Sequence, residues 1–213
     1  MTHLRDFDTA AATWDEEPRR VKLAEDMAAA IAGRVPLSKS MTAIDYGCGT
    51  GLLTLLIQPH VGRIIGADSS KGMLEVLERK VRDRGLGNVD TLLIDAGAEG
   101  PAEGRIHLLT CHMTLHHVED IPALFRRFHE MLLPGGILCL SDLDTEDGSF
   151  HSDPTGVFSH GFDRDNLRAL LAEAGFTDIR DTTASVIQKK SDEGEREYPV
   201  FLITAREPRS GYR

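Results

Sequence analysis

The strongest constraint on the fold is a regular alternation of short apolar runs with helical segments between residues 41 and 142. The apolar runs show little alternation of apolar and polar positions, a pattern typical of strands that are buried on both faces of a sheet. Strands of this kind that are separated by helices predict an α/β fold with a mainly parallel sheet. The predicted strands cover residues 43–46, 63–68, 91–95, 106–110 and 137–140.

Apolar positions at helical spacing complete the expected layout. The predicted helices cover residues 18–32, 52–58, 71–84, 121–133 and 163–174. In the tail, residues 179–187 and 198–205 are β-rich and are joined by a charged segment, which predicts a hairpin. The sequence therefore predicts a Rossmann-like, doubly wound, seven-stranded and mostly parallel sheet, with an antiparallel C-terminal edge hairpin and helices on both faces.

The charge balance excludes several partners. The chain carries 24 Lys and Arg against 34 Asp and Glu, a net charge of -10, and it has no strongly basic block. We therefore expect no nucleic-acid partner and no anionic membrane surface, since both need a cationic footprint. No apolar run approaches the roughly 18–20 residues of a membrane span, and the first residues lack the apolar core of a secretory signal. With only 3 cysteines, a reducing compartment and cytoplasmic localisation are expected.

A glycine-rich loop follows the first predicted strand and precedes a helix. Its residues are Asp45-Tyr46-Gly47-Cys48-Gly49-Thr50-Gly51. Alternate glycines permit a tight turn and the close approach of a ligand, although they could also serve only to close the strand–helix turn. The dinucleotide pattern G-x-G-x-x-G requires glycine where Leu52 stands. In addition, the carboxylate of Asp45 would repel a pyrophosphate and favour a cationic amino group.

Asp68 and Asp95 end the second and third predicted strands. A carboxylate at the end of the second strand can accept hydrogen bonds from both hydroxyls of a ribose, and one at the third can accept from an adenine amino group. The alternatives are a helix cap for Asp68 and a turn residue for Asp95. Because the carboxyl ends of parallel strands share one edge of a sheet, these acids and Asp45 together predict a nucleoside site.

In combination, these motifs resemble those of class I S-adenosylmethionine-dependent methyltransferases, and more narrowly the ubiquinone/menaquinone-biosynthesis type with a "methyltransferase 11" domain. The resemblance rests on residues 43–51, 66–74, 95–96, 115–120 and 133–136. It covers roughly residues 41–142 well and the rest of the chain by general layout. The motifs are specific for the cofactor but not for the methyl acceptor.

The resemblance implies a role for each matching residue. On the adenosine side, Asp68 would bind the ribose, Ser69 and Met73 would flank the adenine, and Asp95 and Ala96 would contact the adenine edge. On the methionyl side, Asp45 would lie near the amino group and Cys111 would line the cofactor beside its sulfonium. The loop residues that would cradle the methionyl part are Gly47, Cys48, Gly49 and Gly51.

Residues 7–15 resemble the amino-terminal aromatic–acidic element that folds over the cofactor in this family. The resemblance implies that Trp14 or Phe7 faces the sulfonium cation, since an aromatic face attracts a cation. The alternative is an amphipathic helix that packs both aromatic side chains into the body of the domain.

Methyl transfer from a sulfonium needs chiefly alignment of the acceptor and exclusion of water. A general base would assist a hydroxyl or thiol acceptor, and histidine suits that task. His116 and His160 are the predicted candidates for this base, with a structural role as the alternative. A metal site is not expected, because the spacing of His112 and His116 lacks the companion Glu of a zinc helix.

These observations predict a single domain over residues 1–213. It would comprise an N-terminal helical cap (1–40), a cofactor-binding core (41–142), a substrate-side loop (143–161), and a C-terminal helix and hairpin (162–213). The predicted function is S-adenosylmethionine-dependent methyl transfer to a small organic acceptor at O, N, C or S, by a monomer or homodimer. The alternatives are a non-catalytic protein that binds S-adenosylmethionine or S-adenosylhomocysteine on the same fold and, less favoured, an NAD-type oxidoreductase.

Overall fold

A computed structural model describes residues 7–94, 105–191 and 194–209, and the described residues form one seven-stranded sheet. Its strands are Thr42–Tyr46 (β1), Arg63–Asp68 (β2), Val89–Leu93 (β3), Ile106–His112 (β4), Leu132–Leu143 (β5), Thr177–Ser191 (β6) and Gly194–Arg206 (β7). The strand order is β3-β2-β1-β4-β5-β7-β6. Strands β1 to β5 pair in parallel, whereas β7 is antiparallel to both β5 and β6. The predicted fold class is confirmed.

Six α-helices connect or flank the strands within the described residues. They are Phe7–Ala10 (α1), Pro18–Ala32 (α2), Leu52–Ile57 (α3), Lys71–Asp83 (α4), Ile121–Met131 (α5) and Arg164–Glu173 (α6). Side-chain caps fix where four of them begin, because each cap accepts a hydrogen bond from an orphan N–H of the first turn. Glu17 caps α2 through Arg19 N. Ser70 caps α4 through Met73 N, and Asp120 and Asp163 cap α5 and α6 in the same way.

Consecutive strand residues are buried on opposite faces of the sheet. In β1, Ala43 belongs to the core beneath α2 and α3, whereas Ile44 belongs to the core beneath α5 and α6. Leu108 and Leu109 of β4 divide in the same way. Side chains of successive strand residues point to opposite faces, so strands that are apolar throughout require helices on both sides. The continuous apolar runs of the sequence are explained by this double burial.

Several element boundaries differ from the predicted ones, among them those of β4, α5 and the hairpin. Helix α5 ends at Met131 rather than at residue 133, because Leu132 is extended and pairs with Ile106 as the first residue of β5. The hairpin is also longer than predicted, since Lys189 pairs with Arg196 within the β6–β7 ladder. Ladder hydrogen bonds use only the backbone, so a charged stretch continues the strands as well as an apolar one. Among the described residues, no helix is both long and apolar enough to cross a membrane.

Candidate active site

A cavity of about 430 Å³ lies at the carboxyl edge of β1, β2 and β4. Its wall combines the glycine-rich loop, the start of α4, the loops after β4 and β5, the N-terminal segment and one strand of the hairpin. The volume is within the range of small-molecule sites. The cavity lies where ligands bind in open α/β sheets, outside the carboxyl ends of the strands.

The glycines of the loop have positive φ, but the space available for a Cβ atom differs from one glycine to the next. A Cβ on Gly47 (φ +73) would lie 2.3 Å from Thr114 Oγ1, and a Cβ on Gly51 (φ +82) would lie 2.4 Å from Leu77 Cδ1. A Cβ on Gly49 (φ +52) would meet no atom closer than 3.9 Å. Gly47 and Gly49 border the cavity, whereas Gly51 does not and is required by packing against α4.

Asp68 connects the glycine-rich loop to the start of α4. Its Oδ2 accepts from Gly49 N at 2.7 Å and its Oδ1 from Ser70 N at 2.9 Å. Burial raises the pKa of Asp68, although these N–H donors act in the opposite direction. Ser70 itself caps α4 by accepting from Met73 N at 3.1 Å, so Asp68 is not the helix cap. Its carboxylate borders the cavity with lone pairs left for further donors.

Asp45 lies beneath the loop and is only 2% exposed. Thr54 Oγ1 donates to Oδ2 at 2.6 Å and Thr110 Oγ1 donates to Oδ1 at 2.7 Å. Burial raises the pKa of Asp45, and the two hydroxyl donors partly offset that effect. The carboxylate is therefore held in a fixed orientation at the floor of the cavity, which it also borders.

The N-terminal segment closes one side of the cavity and is tied to the core by carboxylates. Asp8 Oδ1 accepts from Ser70 Oγ at 2.5 Å and from Gly72 N at 2.7 Å. Asp15 accepts from Thr50 Oγ1 at 2.6 Å. Trp14 borders the cavity, and the guanidinium of Arg20 lies 3.7 Å from the centroid of its ring. One face of Trp14 is therefore already in contact with a cation of the chain.

The structure brings most predicted cofactor-binding residues to this cavity. Those on its wall are Trp14, Asp45, Gly47, Cys48, Gly49, Asp68, Ser69 and Met73. Cys111 is fully buried in β4 and does not border the cavity, because β4 continues one residue further and His112 occupies its end. Burial raises the pKa of the Cys111 thiol well above its usual value. Asp95 and Ala96 lie outside the described residues.

His160, the second predicted base, is not on the cavity wall. Its side chain is 52% exposed, and Nδ1 lies 3.5 Å from Glu146 Oε1. The backbone explains this position, because Glu146 N donates to His160 O and turns this part of the loop back on itself. The predicted substrate-side loop instead reaches the cavity through residues 150–152.

Four histidines meet at one part of the cavity wall. The cavity is bordered by His112, His116, His117 and His151. The centroid of the His116 ring lies 4.2 Å from that of His117 and 4.7 Å from that of His151. Within the part of the chain that the structure describes, no three His, Cys, Asp or Glu side chains form a metal-binding group. The cluster is thus a set of imidazoles grouped around a cavity.

His116 is distinguished from the other histidines by a buried carboxylate. Its Nδ1 lies 2.8 Å from Asp142 Oδ1 and 2.9 Å from Oδ2, and the two side chains are 3% and 0% exposed. Burial by itself would raise the pKa of Asp142, but the charge and hydrogen bonds of His116 and the N–H of Leu143 hold it below its usual value. Asp142 is therefore ionised, and Nε2 is the ring nitrogen that His116 leaves for a molecule in the cavity.

His112 has a different environment, although it is a close neighbour. Its Nδ1 lies 2.7 Å from Ser141 Oγ. Burial lowers the pKa of His112 to about 4, with a smaller opposing effect of Asp142. His112 is therefore neutral at pH 7 and contributes a hydrogen-bonding group rather than a charge.

Sequence reasoning missed several residues of the wall. Arg19 and Arg20 enter it from α2, and Ile187 and Lys189 enter it from β6. The charge of the segment near residue 189 predicts a connection between strands, and nothing in its composition indicates a contact with α2. The only sequence signal is the alternation of Ile187 and Lys189, which places both side chains on one face of the strand.

Comparison with known proteins agrees with this geometry. The model of a methyltransferase domain family matches residues 18–180. The chain belongs to this family. The match confirms the resemblance to class I methyltransferases of the ubiquinone/menaquinone type, whose cofactor is S-adenosylmethionine.

Among the curated relatives, demethylmenaquinone methyltransferase of Geobacillus kaustophilus is 31% identical over 57% of the chain and 52% of its own length. Phosphoethanolamine N-methyltransferase 1 of Arabidopsis thaliana is 28% identical over 79% of the chain and 36% of its own length. The chain thus spans about half the length, or less, of these curated relatives. The crystal structure of the YcgJ protein of Bacillus subtilis superimposes with a TM-score of 0.73 at 18% identity, covering 88% of this chain and 99% of that one, which shows a shared fold.

Proposed function

We propose that the protein transfers the methyl group of S-adenosylmethionine to a small organic acceptor, and that His116 acts as the general base. The observation that carries the proposal is the placement of two groups on one cavity wall. The glycine-rich loop with Asp68 borders the cavity, and so does His116, whose imidazole is paired with the buried Asp142. A site of this kind holds a nucleoside next to a base that is oriented by a carboxylate.

The residues present fit the cofactor. The bare backbone at Gly49 leaves space that a side chain would fill, and Asp68 offers a carboxylate for the ribose hydroxyls. Asp45 offers a carboxyl group in a fixed orientation for the amino group, and Ser69 and Met73 border the part assigned to the adenine. When bound, S-adenosylmethionine supplies a methyl group that already has a good leaving group.

The remaining task of the chain is to align the acceptor and to take its proton. Nε2 of His116 accepts the proton of the acceptor's O–H, N–H or S–H group as the nucleophile attacks the methyl carbon in line. Asp142 accepts the Nδ1–H hydrogen bond, fixes the tautomer and stabilises the imidazolium that forms. General-base assistance of this kind is worth on the order of 10²–10⁴ in rate.

The names of the relatives support a small acceptor but do not fix its type. One acts on phosphoethanolamine and another on demethylmenaquinone, so these relatives accommodate both an amine and a quinone. The acceptor part of this cavity combines apolar side chains, such as Phe150 and Ile187, with the imidazoles. It suits an organic molecule with one polar reacting group.

The test is methyl transfer from methyl-labelled S-adenosylmethionine to three acceptor types: catechols, alkyl thiols and primary amines. We expect a labelled product and stoichiometric S-adenosylhomocysteine with at least one type. We also expect His116→Gln to lower the rate roughly 100-fold while S-adenosylhomocysteine still binds. Tight cofactor binding without transfer to any type would favour the non-catalytic alternative instead.

A further inference from the structure

Lys189 reaches the cavity from β6, far along the chain from the other residues of the site. Its side chain is half-buried, and its Nζ lies 4.6 Å from the centroid of the Phe150 ring and donates to the carbonyl of Phe150. Both residues border the cavity. The hairpin thus brings a cation to an aromatic wall of the acceptor region.

The charge of Lys189 is not neutralised by a neighbouring acid. No carboxylate within residues 7–94, 105–191 or 194–209 forms an ion pair with it. The two acids that act on it electrostatically are Glu17 and Glu146. Glu17 is engaged by Arg19 through two hydrogen bonds of 3.0 and 2.9 Å. Glu146 accepts from Phe150 N at 3.0 Å and lies near His160.

Burial and a neighbouring cation act on Lys189 in the same direction. Burial lowers the pKa of Lys189, and the positive charge of Arg19 lowers it further, while Glu17 and Glu146 act in the opposite direction. A partly desolvated ammonium next to a second cation gains more from an anionic partner than an exposed lysine does.

A continuous row of side chains joins Lys189 to the proposed base. Phe150 contacts His151 with ring centroids 4.8 Å apart, and His151 lies 4.7 Å from His116. A molecule that lies along this row has one end at the ammonium and the other at the imidazole. The Phe150 ring between them provides an apolar surface for its middle.

We infer that the methyl acceptor is an anion, and that Lys189 binds its carboxylate or phosphate group while the reacting O, N or S atom lies at His116. This inference rests on the proposed function, since it assigns the acceptor of that same site. Lys189 is a specificity-determining residue in this arrangement: its positive charge selects anionic acceptors over neutral ones of the same shape.

The experiment measures binding, so that its outcome is separate from that of the methyl-transfer assay. Benzoate, phenyl phosphate and neutral benzamide are titrated by calorimetry into the full chain, with and without saturating S-adenosylhomocysteine. The variants are Lys189→Met, which keeps an apolar stem of similar length, and Lys189→Arg, which keeps the charge. Lys39→Met is the matched control, because Lys39 also donates to a backbone carbonyl, that of Val61, but does not border the cavity.

We expect at least one anion to bind roughly 10-fold more tightly than benzamide, which corresponds to one charge-assisted hydrogen bond. Lys189→Met should abolish this preference, Lys189→Arg should retain it, and Lys39→Met should leave it unchanged. The tighter of the two anions identifies the carboxylate or the phosphate as the recognised group. Equal binding of benzamide and both anions, or an unchanged preference in Lys189→Met, would overturn the inference even if methyl transfer is observed.

Discussion

Nδ1 of His116 lies 2.8 Å from Oδ1 of Asp142, and both side chains are buried at the carboxyl edge of the sheet. His116 follows β4 and Asp142 is the penultimate residue of β5, so the pair bridges two neighbouring parallel strands. The backbone N–H of Leu143 donates to the same carboxylate oxygen at 2.8 Å. In the proposed mechanism, Asp142 is thus a positioning residue that acts through His116.

Asp142→Asn should lower kcat roughly 10–100-fold with little change in the affinity for S-adenosylhomocysteine. An asparagine keeps an oxygen for Nδ1–H but removes the negative charge that stabilises the imidazolium. The acidic limb of the pH–rate profile should therefore move to lower pH, because the protonated base loses its counter-charge. Steady-state kinetics of methyl transfer from pH 5 to pH 9 measures both effects.

His60→Gln is the control for this prediction, since His60 is exposed in a turn away from the cavity. It should leave kcat and the pH profile unchanged. If Asp142→Asn lowers kcat but leaves the acidic limb of the pH–rate profile where it is, the carboxylate has a purely structural role. That result would argue against His116 as the base.

Gly49→Ala and Gly51→Ala should separate cofactor binding from folding. Gly51→Ala is expected to lower the free energy of unfolding by roughly 2–4 kcal/mol, because the new Cβ adds a clash with Leu77 to the cost of a left-handed residue. Gly49→Ala should cost only about 1–2 kcal/mol but should weaken S-adenosylhomocysteine binding roughly 10-fold or more. Chemical unfolding and calorimetric titration of both variants measure the two effects.

Gly85 supplies the matched control, because Gly85→Ala measures only the cost of placing an alanine at a positive φ. It also has positive φ (+62), and a Cβ there would meet no atom within 4 Å. Gly85→Ala should therefore destabilise the chain as much as Gly49→Ala does and leave ligand binding unchanged. Normal cofactor affinity in Gly49→Ala would show that the loop backbone does not contact the ligand at this position.

Much of the fold could be predicted from the sequence because its determinants are local. The helix over residues 18–32 begins and ends where predicted, since Pro18 suits the first turn and the apolar positions repeat at helical spacing. Continuous apolar strands indicated burial on both sheet faces. The acids at the ends of β1 and β2 could be identified because strand ends converge at one edge of a parallel sheet.

The site could be predicted less completely, because its walls depend on register and distant contacts. Extending β4 by two residues beyond the predicted end, to His112, puts Cys111 into the core and moves His112 to the cavity. Lys189 reaches the wall only because β6 pairs with β7 past a register shift near Ser185. No local pattern gives the direction of a side chain after such a shift.

Asp68→Asn should weaken the binding of S-adenosylhomocysteine roughly 10–100-fold. The substitution removes the charge assigned to the ribose and leaves either Gly49 N–H or Ser70 N–H without its carboxylate acceptor. Calorimetric titration gives the affinity, and thermal unfolding without ligand reports the loss of the loop contacts. Asp90→Asn is the control, because Asp90 pairs with Arg63 at 2.7 Å on the half-exposed edge strand β3 and does not border the cavity. A folded Asp68→Asn variant with unchanged affinity would contradict the ribose assignment.

The stability of the fold should depend on His112 below neutral pH. Its pKa is lowered from the usual 6.5 to about 4 in the folded chain, chiefly by burial. Between these two values the unfolded state binds a proton that the folded state does not, so this group makes the free energy of unfolding fall as the pH falls. The loss begins near pH 6.5 and ends near pH 4, and it amounts to roughly 3 kcal/mol in total.

His112→Asn isolates this effect, because asparagine can still bond Ser141 Oγ but does not titrate. Urea unfolding of both proteins at pH 7, 6, 5 and 4.5 gives the difference in stability between wild type and variant. Relative to wild type, the free energy of unfolding of His112→Asn should rise by up to about 1.4 kcal/mol for each pH unit below 6.5. The free energy of unfolding of His60→Asn should change with pH as that of the wild type does. Parallel stability curves for wild type and His112→Asn would mean that His112 is protonated equally in the folded and unfolded chains, and hence that the imidazole is not held neutral beside the cavity.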